Sequence, residues 1–251
     1  MFYNNLNPVL FKLGFLEIRY YGLVYLLGFL LVFLTLRKNK EKLKLNKDEI
    51  YDLIFYLFLG VFIGARVFYF VFSDPNTLLN DPLEFFKIWH GGMSFFGSLS
   101  GVIISSLIFC KKNKINFYKL GDILVFPTTI ALILGRLANF INGELVGTIT
   151  NVKWCVVFKN YYGCRHPYQI YASFSHLILL FILFKMRKIK DVKKLKDGTI
   201  LISFIMFYSL FRVITDFFRE EPRVFGITIW QFISIIFFVI GLILFYKINK
   251  K

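Results

Sequence analysis

Seven stretches of this chain are apolar for long enough to cross a lipid bilayer as helices, and short polar segments separate them. A helix needs about 20 mainly apolar residues to span the hydrocarbon core. Within that core only helices and closed barrels satisfy every backbone polar group. The runs lie near 20–36 (YYGLVYLLGFLLVFLTL), 51–73, 93–110, 120–141, 168–185, 199–218 and 229–246. They predict an all-α polytopic membrane protein of about seven transmembrane helices. The expectation is a single integral membrane domain over 1–251, with one long loop at 143–167. The first run is too long for a signal peptide, has no small-x-small cleavage site and is followed by Lys and Arg in bulk, so it reads as a retained helix.

The formal net charge of +16 raises nucleic acid as a partner, but the basic residues fall in the wrong places for it. They cluster in RKNKEKLKLNK (37–47), KKNKINFYK (111–119), KMRKIKDVKKLK (185–196) and a tail at Lys247, Lys250 and Lys251. No folded basic surface or recognition motif accompanies them. The six connections, with Lys185 at the end of span 5 counted into the fifth, hold six, one, four, three, seven and two Lys and Arg in turn. High and low alternate, as the positive-inside rule requires, and the orientation follows: N-terminus outside, C-terminus cytoplasmic.

Three arginines stand inside the apolar runs: Arg66 in span 2, Arg136 in span 4 and Arg212 in span 6. All three even-numbered spans run outward, which puts each arginine in an outer half. A cation at the bilayer centre costs roughly 2.5–3.5 kcal/mol on insertion scales, so such residues are rare and often functional. Snorkelling toward headgroups is the competing explanation for each. Their company favours a shared anion. Arg136 has Asn139 and Asn142 at helical spacing and Glu144 just beyond, in GRLANFINGELVGTIT (135–150). Arg212 has Tyr208 one turn before it and Asp216 one turn after it. Guanidinium groups bind phosphate bidentately and keep their charge when buried, and a lipid phosphate is the anion most available at that depth.

The connection KIWHGGMSFFGSLSG (87–101) holds four glycines and three serines, which let a helix or a headgroup approach the backbone closely. The loop 143–167 ends at RHPYQIY (165–171), bringing Arg165, His166, Gln169 and Tyr171 ahead of span 5. A loop of that length that is neither charged nor repetitive reads as a folded cover over a site. Cys155 and Cys164 share it; an outer compartment permits a disulfide, and the spacing leaves bridged and free thiols both open. Cys110, at the inner end of span 3, reads as packing. The cysteines and histidines show no metal-ligand spacing, and no nucleotide-binding loop or nucleophile elbow is present.

Together these residues resemble the phosphatidylglycerol:prolipoprotein diacylglyceryl transferase family, over essentially the whole chain. GRLANFINGELVGTIT is the strongest match, joined in the family's order by RYYGLVYLLGF (19–29), GARVFYFVF (64–72), DPLEFFKIWHGGMSF (81–95), RHPYQIY and FRVITDFFRE (211–220). The resemblance implies an enzyme of the bacterial cytoplasmic (inner) membrane with its site toward the outer face. It implies transfer of diacylglyceryl from phosphatidylglycerol to the lipobox cysteine of a prolipoprotein, forming a thioether and releasing glycerol 1-phosphate. It implies no cofactor and no metal. Arg136 and Arg212 match the family's two arginines, with Glu144 and His90 as the further catalytic candidates. The implied substrate-binding set is Arg136, Asn139, Asn142, Tyr21, Gly91, Gly92, Arg66, His166, Gln169 and Tyr171.

Two departures bear on mechanism. Phe96 stands where the family has a second histidine or a tyrosine, and Ala172 follows Gln169-Ile170-Tyr171 where a glutamate is usual. They keep open an inactive lipid-binding paralogue. An anion transporter is the other alternative, but it needs polar residues through the whole membrane thickness, and the inner halves of spans 4 and 6 are almost wholly apolar.

Overall fold

The structure, a computed structural model, describes residues 2–14, 16–87 and 91–250. Its helices are α1 Tyr20–Lys38, α2 Lys40–Leu43, α3 Lys47–Phe72, α4 Pro75–Asn80, α5 Phe95–Lys112, α6 Phe117–Asn142, α7 Tyr168–Lys193, α8 Thr199–Thr215 and α9 Ile229–Asn249. Among the described residues seven of these segments, α8 counted with the turn that follows it, are long and apolar enough to cross a membrane. Each matches one predicted span. Two run well past it, because polar residues also make helix. The capping box of Asn46 and Glu49 starts α3 ahead of its apolar run. The Lys- and Arg-rich turns after 185 are good helix formers, and α7 continues until Lys194 turns left-handed.

Short strands, which the all-α expectation did not contain, lie ahead of α1 and in the connections. They are β1 Phe2–Asn4, β2 Val9–Leu13, β3 Leu16–Arg19, β4 Val156–Phe158, β5 Cys164–Arg165, β6 Arg223–Val224 and β7 Ile227–Thr228. Strand β4 pairs in parallel with β1 and antiparallel with β5; β2 pairs with β3 and β6 with β7.

The chain divides into two compact units, one made of Met1–Val32 with Gly121–Lys251 and the other of Phe33–Leu120. In the second unit α3 and α5 cross at glycines. A Cβ on Gly60 or Gly64 of α3 would collide with the backbone of Gly97 or Gly101 on α5, and the reverse holds too. Two G-x-x-x-G pairs therefore face each other, and the glycines of 87–101 that lie on α5 serve helix packing.

In the first unit Val125, Leu179, Leu183 and Ile200 form a buried cluster between α6, α7 and α8. The N-terminus of α8 has no cap of its own. Asp122 of α6 supplies one: its carboxylate accepts from Gly198 N at 2.9 Å and Leu201 N at 2.7 Å, and from Lys190 Nζ of α7 at 2.7 Å. An anion at helix-terminal N–H groups offsets both the unpaired donors and the helix dipole. At the far end the capping box of Thr228 and Gln231 starts α9, and Gln231 Nε2 donates to Val213 O of α8 at 2.9 Å. These ties fix the rotation of α8, which carries Arg212.

Candidate functional site

The C-terminus of α6 builds the first half of the site. Gly143 has φ +66, a conformation other residues adopt at a cost. Its N–H bonds to Phe140 O at 3.1 Å, and Glu144 N reaches back to Asn139 O at 3.1 Å. This is a Schellman motif, which ordinarily brings two apolar side chains together across the turn. Here it brings Glu144 onto Asn139. Glu144 Oε1 accepts from Asn139 Nδ2 at 2.7 Å and from Asn142 Nδ2 at 3.1 Å. Gln169, wholly buried on α7, donates from Nε2 to Glu144 O at 2.6 Å. The acceptor oxygens Asn142 Oδ1 and Gln169 Oε1 are buried without a partner among the described residues. The local spacing of Asn139, Asn142 and Glu144 thus becomes one hydrogen-bonded cluster, with Gln169 joined to it from another helix.

Tyr168, at the start of α7, organises the second half. Its hydroxyl donates to Asp216 Oδ1 at 2.6 Å, and Asp216 Oδ2 accepts from Arg212 Nε at 3.3 Å. The Tyr168 ring lies 5.8 Å from the Arg136 guanidinium and 5.6 Å from that of Arg219. The guanidinium of Arg212 stands 5.6 Å from the Trp230 ring. Arg212 pairs with Asp216, and Arg219 pairs with Glu221 at 2.6 Å. Arg136 differs: among the described residues it has no ion pair and no hydrogen bond, only the face of Tyr168. Aromatic faces stabilise a cation by about 0.5–2 kcal/mol without neutralising it. Two of the three guanidinium groups are paired with carboxylates, which leaves Arg136 without an ion-pair partner among the described residues.

The loop 143–167 is folded and bridged. Cys155 and Cys164 are bridged, with Cα atoms 5.5 Å apart. Val146, Val156 and Phe158 pack together beneath Phe140. Arg165 is buried and structural: it donates to Gly147 O at 3.0 Å and Tyr162 O at 3.1 Å and pairs with Glu220 at 3.1 Å. Trp154 Nε1 donates to the Tyr171 hydroxyl at 2.7 Å, and His166 Nδ1 is 3.2 Å from the same oxygen. The arrangement satisfies all three groups when Tyr171 donates to Nδ1, which assigns the His166 proton to Nε2. Burial holds His166 below the ordinary histidine range.

Tyr21 is exposed on α1, edge-on to Tyr25 at 5.4 Å. Arg66 lies in the other unit. It is 1% exposed, and its guanidinium donates to four backbone carbonyls: Glu84, Phe85 at 2.8 Å, Gly91 and Gly92 at 3.1 Å. Its face rests on Phe70 at 4.7 Å. Gly91 and Gly92 are therefore acceptors for Arg66. A Cβ on Gly92 would meet the Tyr69 ring at 2.7 Å. His90 lies outside the described residues. Sequence reasoning missed Tyr168, Arg219 and Trp230. Tyr168 stands inside the quoted RHPYQIY, but only the packing of α7 against α6 and α8 shows what its ring and hydroxyl touch.

A family model described as prolipoprotein diacylglyceryl transferase matches residues 8–247. A Geobacter sulfurreducens protein named phosphatidylglycerol–prolipoprotein diacylglyceryl transferase is 37% identical over 260 residues, covering 100% of this chain and 98% of its own length. Proteins of the same name from Rickettsia akari and Legionella pneumophila (strain Lens) are 38% and 39% identical, covering 100% and 96% of this chain and the same shares of their own lengths.

Proposed function

The chain belongs to the prolipoprotein diacylglyceryl transferase family, and from that membership we propose that it transfers a diacylglyceryl group from phosphatidylglycerol to a prolipoprotein. The acceptor is the lipobox cysteine thiol. Its sulfur attacks the glyceryl carbon that bears the phosphate, a C–S bond forms, the C–O bond breaks, and glycerol 1-phosphate leaves. The thiol proton balances the product anion. The protein sits in the bacterial cytoplasmic (inner) membrane with its N-terminus outside, its C-terminus cytoplasmic and its site toward the outer face. The alternation of basic connections supports that orientation.

The observation that carries the reading is Arg136, a cation held against Tyr168 with no counter-ion among the described residues. It binds the phosphodiester of the donor lipid. Arg212, aimed by Asp216, stabilises the negative charge that grows on the leaving phosphate. Asn139, Asn142 and Glu144 orient the headgroup glycerol, whose hydroxyls match the free acceptor oxygens of Asn142 and Gln169. Tyr21 lines the approach, and His166 and Tyr171 belong to the cover above the site. Gly91 and Gly92 form the close backbone approach that Arg66 secures. Glu144 and His90 are the two candidates to receive the thiol proton.

Membranes holding the protein, labelled phosphatidylglycerol and a lipobox peptide test this. Label should pass to the peptide, and should need both the peptide cysteine and Arg136. Label that passes without Arg136 removes its assigned role. No transfer at all, with phosphatidylglycerol still bound, points to a lipid-binding protein that has lost the reaction, as Phe96 and Ala172 would then explain.

A further inference from the structure

The buried stripe of α7 carries one titratable group that the reaction above does not use. His176 is 4% exposed and lies two turns along α7 from Tyr168. Residues 168, 172 and 176 share one helix face, and Ala172, between the other two, contributes only a methyl. The imidazole stacks on Tyr208 of α8, with 5.4 Å between ring centroids and 26° between planes. Tyr208 stands one turn before Arg212 on α8, and Tyr168, at the other end of the stripe, meets the Arg136 guanidinium at 5.8 Å. Neither Nδ1 nor Nε2 has a hydrogen-bond partner among the described residues. A histidine that serves packing alone normally gives its ring N–H to a carbonyl or hydroxyl, because an unpaired buried donor is unfavourable. This one is stacked on Tyr208, between the turns that carry Tyr168 and Arg212, with both ring nitrogens buried and unbonded among the described residues.

We infer that His176 is a third binding group for the phosphate held by Arg136 and Arg212, donating its ring N–H to a phosphate oxygen. The inference rests on the phosphate reading of those two arginines. A neutral imidazole offers one N–H and one lone pair. The arginines supply charge, and the imidazole, held against Tyr208, adds a donor of fixed direction. Direction matters because a displacement at carbon needs the leaving oxygen in line with the attacking sulfur. The donor lipid presents a phosphodiester and free glycerol 1-phosphate a phosphomonoester, and both offer this group a phosphate oxygen as acceptor.

Nuclear magnetic resonance of the full chain in neutral detergent, with 15N in its three histidines, separates the cases. The His176 ring signal is identified as the one absent from His176→Phe or His176→Gln. Phosphatidylglycerol should move that signal in the wild-type protein, and diacylglycerol, which lacks phosphate, should not. A shift with glycerol 1-phosphate as well extends the site to the free product. His176→Phe, which keeps a ring against Tyr208, should lower kcat/KM for phosphatidylglycerol about tenfold, with the KM of the lipobox peptide unchanged; His176→Gln, which keeps an N–H, should recover part of the loss. The wild-type titration stands even if the Phe variant fails to fold. An unmoved His176 signal with phosphatidylglycerol bound, as seen by native mass spectrometry, and transfer intact overturns the inference alone. Absence of phosphatidylglycerol binding overturns it together with the phosphate reading.

Discussion

Arg66 and Arg136 each interrupt a long apolar helix, yet the first donates to four backbone carbonyls and the second has neither hydrogen bond nor ion pair among the described residues. A charge inside a membrane helix has to be compensated, and these two positions show different means. Carbonyl oxygens compensate Arg66 permanently, so it acts as a clamp on the segment that holds Gly91 and Gly92. The ring of Tyr168 compensates Arg136 only in part, which leaves its donors for a ligand. Arg212 stands between the two cases, paired with the buried Asp216 and facing Trp230. An intramembrane arginine is a functional candidate only once its donors have been accounted for.

The comparison breaks most readily at Arg136. Arg136→Ala should lower diacylglyceryl transfer by about 10²–10³-fold with little change in thermal stability. Arg136→Lys should restore part of the rate, since lysine keeps the charge but not the planar fork. Transfer within a few-fold of the wild type in the Ala variant would erase the contrast.

Arg66→Ala should show the opposite pattern. Four part-buried hydrogen bonds are lost. Glu84 O keeps the Lys87 N–H, and at about 1–3 kcal/mol for each of the three carbonyls left without a donor the protein should lose at least about 3 kcal/mol of stability. A thermal-shift measurement in detergent reads this as a much lower midpoint, while the turnover of molecules that remain folded falls less than in Arg136→Ala. A midpoint close to that of the wild type would return Arg66 to the list of ligand groups.

The cover offers a smaller test. Replacing Cys155 and Cys164 with Ser removes a bridge across nine residues, a loss of about 2.5 kcal/mol in the chain-entropy estimate. Protease sensitivity should rise between 150 and 165. The cluster of Glu144, Asn139 and Asn142, which the bridge does not touch, should keep activity within a few-fold.

The smallest effect concerns His166. Burial lowers its pKa below the ordinary value of about 6.5, so the folded chain binds this proton less readily than the unfolded one. Its contribution is fully present above pH 6.5 and is lost as pH falls through the folded value. Between pH 7.5 and 5.5 the wild-type midpoint should drop slightly more than that of His166→Gln. Equal drops in the two proteins would mean that His166 feels no burial.

Seven helices could be read directly from the chain, because a bilayer constrains length and polarity along one dimension. The polar sets Asn139, Asn142 and Glu144, and Arg212 with Asp216, were also visible there, since residues three or four apart on a helix are neighbours whatever the rest of the chain does. Beyond that reach the sequence alone left the matter open. Spacing could not say whether Cys155 meets Cys164, that Gly60 and Gly64 face Gly97 and Gly101, or that Asp122 caps α8 from another helix. Nor could it say which of Arg66 and Arg136, each inside a long apolar run, has its donors taken up by the protein itself. What distinguishes them is the set of acceptors that tertiary packing brings within 3 Å or so of each guanidinium, and those acceptors come from segments that only the fold makes neighbours.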